Sequence, residues 1–387
     1  MNDRRKATPT IRNVAQVAGV SVGSVSRVLN AKATVSPEIR EKVEKAIREL
    51  GYKPNLVAQT MRSQISRTIA CIIRDIDISG FARFVRAADE VLSRAGYALL
   101  LSNSEGRIER ERELISVIAS RRADALLIAQ SSEMDRNLDE LLHGLGIPVV
   151  LIDREWPEWA DAVMVDHRNG IRQATEKLIR LGHRRIALLT GNRTLYPARE
   201  RIIGYEQAHA ACGVSLDPRL LQTGSFEAGF AFEKASMLLC SADRPTAVVA
   251  GGIEMLPGII RALRVQGLSI PADVSVVAAM NSDLADLFEP QISVEDWDYA
   301  EVGRIAANLA LQRIASNQTV EPRRVLVPTK FLLRESCAVA PSSISHPVGA
   351  TAGGLTKNIA SQVPSDPEAE DVPPDVTRGD GGRDEPG

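Results

Sequence analysis

From Val20 to Asn30 the chain reads VSVGSVSRVLN, with hydroxyls at Ser21, Ser24 and Ser26, one guanidinium at Arg27 and no carboxylate. Small hydroxyls can donate to phosphate oxygens without blocking close approach. An arginine can bond guanine O6 and N7 together, which is worth about 1–3 kcal/mol of discrimination against a wrong base. Val22 offers an apolar contact suited to a thymine methyl, and Gly23 offers only close approach. The lack of acid suits a surface lined by phosphates. The chemistry this stretch can do is DNA recognition, with sparse base readout carried mainly by Arg27.

A competing chemistry fails on context. Gly19-Val20-Ser21-Val22-Gly23 matches G-x-S-x-G, the hydrolase nucleophile elbow. That motif needs a strand before its serine, whereas Ile11–Ala18 has helical periodicity. HExxH, GxxxxGK and GxGxxG are absent, and His143, His167, His183, His209 and His346 show no metal spacing. Cys71, Cys212, Cys240 and Cys337 are far apart, which argues against a zinc site or a disulfide scaffold. The expectation is therefore no catalytic residue, no metal, no cofactor and no enzyme.

The elements around the opening stretch must position it. Thr10 can cap a first helix whose apolar positions Ile11, Val14, Ala15 and Ala18 share a face. Gly19 ends it, and Ser21 can cap a second helix carrying Val25, Val28 and Leu29. Ser36-Pro37 starts a third helix that stops at Gly51. Helix, glycine turn and capped helix together make a helix-turn-helix, whose second helix enters the major groove. Residues 54–62, PNLVAQTMR, can form one more helix capped by Asn55, too short to be stable alone.

Charge divides the 387 residues unevenly. Residues 1–67 hold 13 Lys/Arg against 5 Asp/Glu, while residues 341–387 hold 3 against 8. A basic unit on a mildly acidic body points to a polyanionic partner at the N-terminal end. From Ile69 to about Leu333, apolar runs such as TIACIIRDI, IPVVLID, RIALLTG and DVSVVAAM alternate with helix-length amphipathic segments. That pattern indicates parallel sheets covered on both faces. The length suits two sheets, with a break near Asp153–Asn169 and a return near Pro290–Trp297. The expected fold class is an all-α helix-turn-helix head plus an α/β core of two parallel-sheet subdomains. The expected domains are a DNA-binding head at 10–53, a hinge helix and linker at 54–67, a core at 68–340 and a disordered tail at 341–387. No secretory signal or membrane span is evident, so a soluble, cytoplasmic protein is expected.

VAQVAGVSVGSVSRVLN, VSPEIREKVEKAIRELGYKPN, LGHRRIALLTG, ARERIIGY, RPTAVVAGG and IPADVSVVA resemble, in order and spacing, the lactose-repressor (LacI/GalR) family of bacterial transcription regulators. The resemblance covers about residues 10–335. It implies a homodimer whose two heads read a near-palindromic operator in double-stranded DNA, through Thr10, Ser21, Val22, Gly23, Ser24, Ser26, Arg27 and Asn30. It also implies that Asn55 and Met61 belong to a hinge helix that orders on DNA, with Met61 where the family usually wedges a leucine into the minor groove. The core then resembles periplasmic sugar-binding proteins. Its small-molecule effector would be lined by Phe81, Asp153, Arg154, Arg201, Phe226, Met280 and Trp297. Two departures bear on that effector: Met280 stands in place of the family's aspartate, and Gly252-Ile253 in place of an Asn-Asp pair. Sugar hydroxyls buried without acceptors cost about 1–3 kcal/mol each, so a plain neutral hexose is not expected. Arg154 and Arg201 with the aromatics suit an anionic or partly apolar metabolite, such as a sugar acid or sugar phosphate, the alternative being a cleft that has lost effector binding. The function expected is a repressor modulated by that metabolite.

Overall fold

A computed structural model describes residues 9–29, 35–52, 65–316 and 321–342. Three helices build the head: α1 Ile11–Ala18, α2 Val22–Leu29 and α3 Pro37–Leu50. Thr10 caps α1 in a reciprocal box with Asn13. Gly19 then takes the left-handed conformation (φ 64°) and donates its N–H to the last carbonyls of α1. A Cβ is strained there. Ser21 Oγ accepts from Ser24 N at 3.1 Å, which starts α2. Ser36 caps α3, and Pro37 occupies the first turn. Val14, Ala15, Ala18, Val25, Val28, Val43 and Ala46 form the head's core. Periodicity places each of them inward, and the core is small.

The rest of the described chain makes two six-stranded sheets. The strands are β1 Thr68–Ile73, β2 Ala98–Asn103, β3 Ala125–Ile128, β4 Val149–Ile152, β5 Asp161–Val165, β6 Ile186–Gly191, β7 Leu221–Gly224, β8 Ala247–Gly251, β9 Ser275–Ala279, β10 Ser293–Asp296, β11 Arg324–Val327 and β12 Lys330–Leu332. The first sheet runs β11-β5-β4-β3-β1-β2 and is parallel throughout. The second runs β12-β10-β9-β8-β6-β7, with only β12 antiparallel. The intervening helices are α4 Ser79–Arg94, α5 Ile108–Arg121, α6 Arg136–Gly144, α7 His167–Arg180, α8 Tyr196–Ala211, α9 Ala228–Leu239, α10 Met255–Val265, α11 Asp283–Leu287 and α12 Tyr299–Ala315.

Successive strand residues feed opposite faces. Ile69, Cys71 and Ile73 pack into one apolar cluster, while Ala70 and Ile72 pack into another. Ala187 and Leu189 divide from Ile186 and Leu188 in the same way. This is the period-two geometry of a sheet with helices on both sides. Burial raises the thiol of Cys71 to about 12, so this cysteine acts as a small apolar residue.

The chain passes between the sheets three times. It leaves the first after β5, returns from β10 into α12, and passes again between β11 and β12. The first two passages fall where the sequence places them. The third, through Pro328 and Thr329, goes unread because β11 and β12 have only four and three residues. His183, just past α7, is buried, with Nδ1 2.8 Å from Thr246 Oγ1 and Nε2 3.1 Å from the Ala338 carbonyl. Among the described residues, no helix is long and apolar enough to cross a membrane.

Candidate DNA-reading helix and effector cleft

On α2 the apolar side is locked. Val25 is 0% exposed and Val28 7%, both packed in the head's core. The other side carries the residues expected to face DNA. Ser21, Val22, Gly23 and Arg27 are exposed, and Ser24 and Ser26 are half-buried. Ser21 and Ser24 also share a hydroxyl–hydroxyl bond of 3.0 Å, so part of their hydrogen-bonding capacity serves the cap. A Cβ on Gly23 would meet only the tips of Ser21 and Arg27, at 3.7 and 4.0 Å. The glycine is therefore not required by the packing of the head. Thr10 is exposed but engaged with Asn13. Asn30, Asn55 and Met61 lie outside the described residues.

Between the sheets, most of the expected effector residues meet, largely through bonds to one another. Asp153 follows β4 with φ 54°, and its carboxylate accepts from Val165 N at 3.2 Å and faces His167. Arg154 donates from Nε to the Gln130 carbonyl at 2.6 Å and from Nη1 to the Asp153 carbonyl at 2.7 Å. Arg201, on α8, donates from Nη1 to the Gly251 carbonyl at 3.0 Å and from Nη2 to His167 Nδ1 at 3.0 Å. Its Nε stands 3.6 Å from Glu295 Oε2. The Trp297 indole packs edge-on to His167, with centroids 5.0 Å apart. Met280 is buried with φ 86° and donates its N–H to the Glu295 carbonyl at 2.7 Å.

Phe226 fills space that two glycines leave open. A Cβ on Gly191 or Gly252 would fall 2.2 or 2.6 Å from its ring. The guanidinium groups of Arg74 and Arg201 stand 5.8 and 6.0 Å from that ring, within cation–π range. Phe81 keeps different company. It packs on Tyr299 at 6.1 Å and lines an apolar groove with Val85, Leu99 and Leu101.

Sequence reasoning missed His167, Glu295, Glu254 and Arg74. His167 shows no metal spacing and Glu295 sits in a short strand, so only their convergence across the sheets marks them. Burial raises Asp153, but the adjacent His167, aided by Arg154 and Arg201, prevails and holds it low. Burial raises Glu254 against the pull of Arg74, whose Nη2 lies 3.2 Å away. No group of acids, histidines and cysteines fit to hold a metal occurs among the described residues.

The comparisons agree with both halves. Residues 10–55 match the family of bacterial regulatory proteins, lacI family, and residues 175–337 match a periplasmic binding protein-like domain. The regulator CelR of Thermobifida fusca is 34% identical over 86% of this chain and 99% of its own. The repressor PurR of Vibrio atlanticus (strain LGP32) is 33% identical over 79% of this chain and 92% of its own. A lac repressor dimer bound to operator and the anti-inducer ONPF superposes with TM-score 0.75 at 26% identity, over 86% of this chain and 99% of that one. A CelR–cellobiose complex superposes with TM-score 0.64 at 32% identity, over 85% and 99%. The chain belongs to the lacI family of bacterial regulatory proteins and is a DNA-binding transcriptional regulator modulated by a small effector, not an enzyme.

Proposed function

We propose that this regulator is a repressor that acts as a homodimer on a near-palindromic operator, with Arg27 reading one guanine in each half-site. The observation that carries this reading is the split of α2. Val25 and Val28 anchor it, while Val22, Gly23 and Arg27 stand in solvent. Ser21, Ser24 and Ser26 would contribute phosphate contacts and Thr10 and Asn30 further DNA contacts, while Asn55 would cap the hinge helix and Met61 supply its minor-groove wedge. The dimer reading is supported by β2, the edge strand of the first sheet, where Leu100 and Leu101 are exposed. An apolar edge of this kind calls for a cover, and a second copy supplies one. Sedimentation of Leu101→Asp tests this: a monomer is expected, and an unchanged dimer counts against the face.

The effector reading turns on charge. The expectation of a sugar acid or sugar phosphate leans on Arg154 and Arg201, but Nε and Nη1 of Arg154 and both Nη atoms of Arg201 already donate to protein carbonyls or His167. Buried Glu295 faces Arg201 as well, and Asp153 and Glu254 add further acceptors. Carboxylates accept from hydroxyls, so this balance favours a neutral hydroxylated ligand over an anionic one. The CelR relative is solved with cellobiose. Thermal shift with cellobiose, gluconate and glucose 6-phosphate separates the two. Stabilisation by the neutral sugar supports this reading, and stabilisation by either anion alone reinstates the anionic one.

A further inference from the structure

His167 opens α7 at the first passage between the sheets, and its imidazole is fully buried. Each ring nitrogen meets a carboxylate from a different sheet. Nε2 lies 2.9 and 3.1 Å from the oxygens of Asp153, which follows β4. Nδ1 lies 3.2 Å from Oε1 of Glu295, in β10. Nδ1 also lies 3.0 Å from Nη2 of Arg201. The last two contacts are mutually exclusive. A guanidinium only donates, so the Arg201 contact needs a lone pair on Nδ1. A carboxylate only accepts, so the Glu295 contact needs a proton there. With Nε2–H donated to Asp153 in both cases, the first arrangement is neutral imidazole and the second is imidazolium.

We propose that the proton on His167 positions Arg201. Neutral His167 holds Nη2 inside the protein; protonated His167 turns Nδ1–H to Glu295 and releases Nη2 toward the cleft. His167 and Glu295 are thus positioning residues for the arginine read as an effector contact, and the inference rests on that reading.

The surroundings fit such a device. Gly170, one turn along α7, makes room for Glu295: a Cβ there would lie 2.5 Å from its Cγ and Oε1. The bond from Arg201 Nη1 to the Gly251 carbonyl does not involve His167 and can serve as a pivot. Glu295 Oε2 and Arg201 Nε lack hydrogen-bond partners, so each retains capacity to change partners. The other groups around the ring keep their charge state near neutrality. Burial raises the phenols of Tyr196, on α8, and Tyr299, on α12. The Trp297 indole is uncharged, and Arg154 stands beside Asp153, which is held low.

Burial and Arg201 push the imidazole down, but Asp153 and Glu295 push it up and prevail. The protonated form therefore persists above the ordinary imidazole value of about 6.5. Its contribution to stability is complete below that value and is lost as pH rises through the raised one. Release of Arg201 belongs to the low-pH side.

The test is ¹⁵N NMR of the full chain, labelled at histidine and arginine, from about pH 5.5 to about pH 9. It needs no effector. At high pH, His167 is expected neutral with a bare Nδ1 and with slow solvent exchange of the Arg201 Nη2 protons. As pH falls, Nδ1 gains a proton, and the protection of the Arg201 Nη2 protons, taken relative to the base-catalysed intrinsic rate at each pH, drops about tenfold or more at the same midpoint, as expected for loss of a hydrogen bond of about 1.4 kcal/mol or more. Glu295→Gln is expected to lower the midpoint by about one unit. A neutral form protonated on Nδ1, or Arg201 exchange indifferent to His167, overturns the proposal. The wild-type tautomer decides the matter even if Glu295→Gln fails to fold. The effector reading fails separately: an Arg201→Lys variant that keeps the thermal-shift response to cellobiose, gluconate or glucose 6-phosphate seen in the wild type would remove it, while the wild-type tautomer still decides the coupling of His167 to Arg201.

Discussion

On α2, Val22, Gly23 and Arg27 stand in solvent while Val25 and Val28 are buried. Between the sheets the order is reversed. Arg154, His167, Arg201 and Glu295 are all buried, and their hydrogen bonds run to one another, to Asp153 or to backbone. The head displays the side chains proposed to read DNA on a small apolar support and leaves them in solvent. The core uses its polar groups to join two sheets, so any ligand there must exchange partners with bonds already made. A surface of the first kind changes affinity when one residue changes. A node of the second kind changes stability and conformation together.

The sharpest way to break this contrast is at Glu295. Glu295→Ala removes the carboxylate facing Arg201 and leaves His167 with Asp153 alone, and removing one member of a buried pair costs about 3–5 kcal/mol. Urea unfolding should show that loss in the core, with the helical head unaffected. Arg27→Ala should show the opposite. Operator affinity should fall by about 1–3 kcal/mol per half-site, with discrimination lost at one base position and unfolding unchanged. Anisotropy titrations with operators varied at each position measure this. Met61→Gly should weaken operator binding while leaving dimerisation intact, and equal affinity would count against the wedge.

Smaller effects sharpen the picture. Ser21→Ala removes the α2 cap and should cost the head about 1 kcal/mol, visible in its own melting. Two buried histidines should respond to pH with opposite signs. His183 is depressed by burial, so its contribution is present above the ordinary imidazole value and is lost as pH falls through the lowered one. His167 is raised, so its contribution is lost as pH rises. Stability profiles of His183→Gln and Glu295→Gln should therefore depart from the wild type on opposite sides of neutrality.

The head was legible because its signals are local. Thr10, Gly19, Ser21 and Ser36-Pro37 mark helix ends within a few residues of what they cap. The buried runs of β3 and β4 declared parallel strands in the same way. The core node is assembled from residues up to 128 positions apart, as in His167 and Glu295. Nothing local distinguishes Glu295 from the other acids of VEDWD. Asp153, Arg154 and Arg201 were expected together, but Glu295 and Glu254 were not, so the sequence reading weighed the arginines against fewer carboxylates than the structure places beside them.

Selection of bound sequences from random duplex DNA by the purified chain, at stated salt, tests the central claim most directly. The expected result is a near-palindrome with a guanine in each half-site, and loss of that guanine preference in Arg27→Ala. Binding that follows salt alone, with no enriched sequence, would contradict the claim that α2 reads an operator.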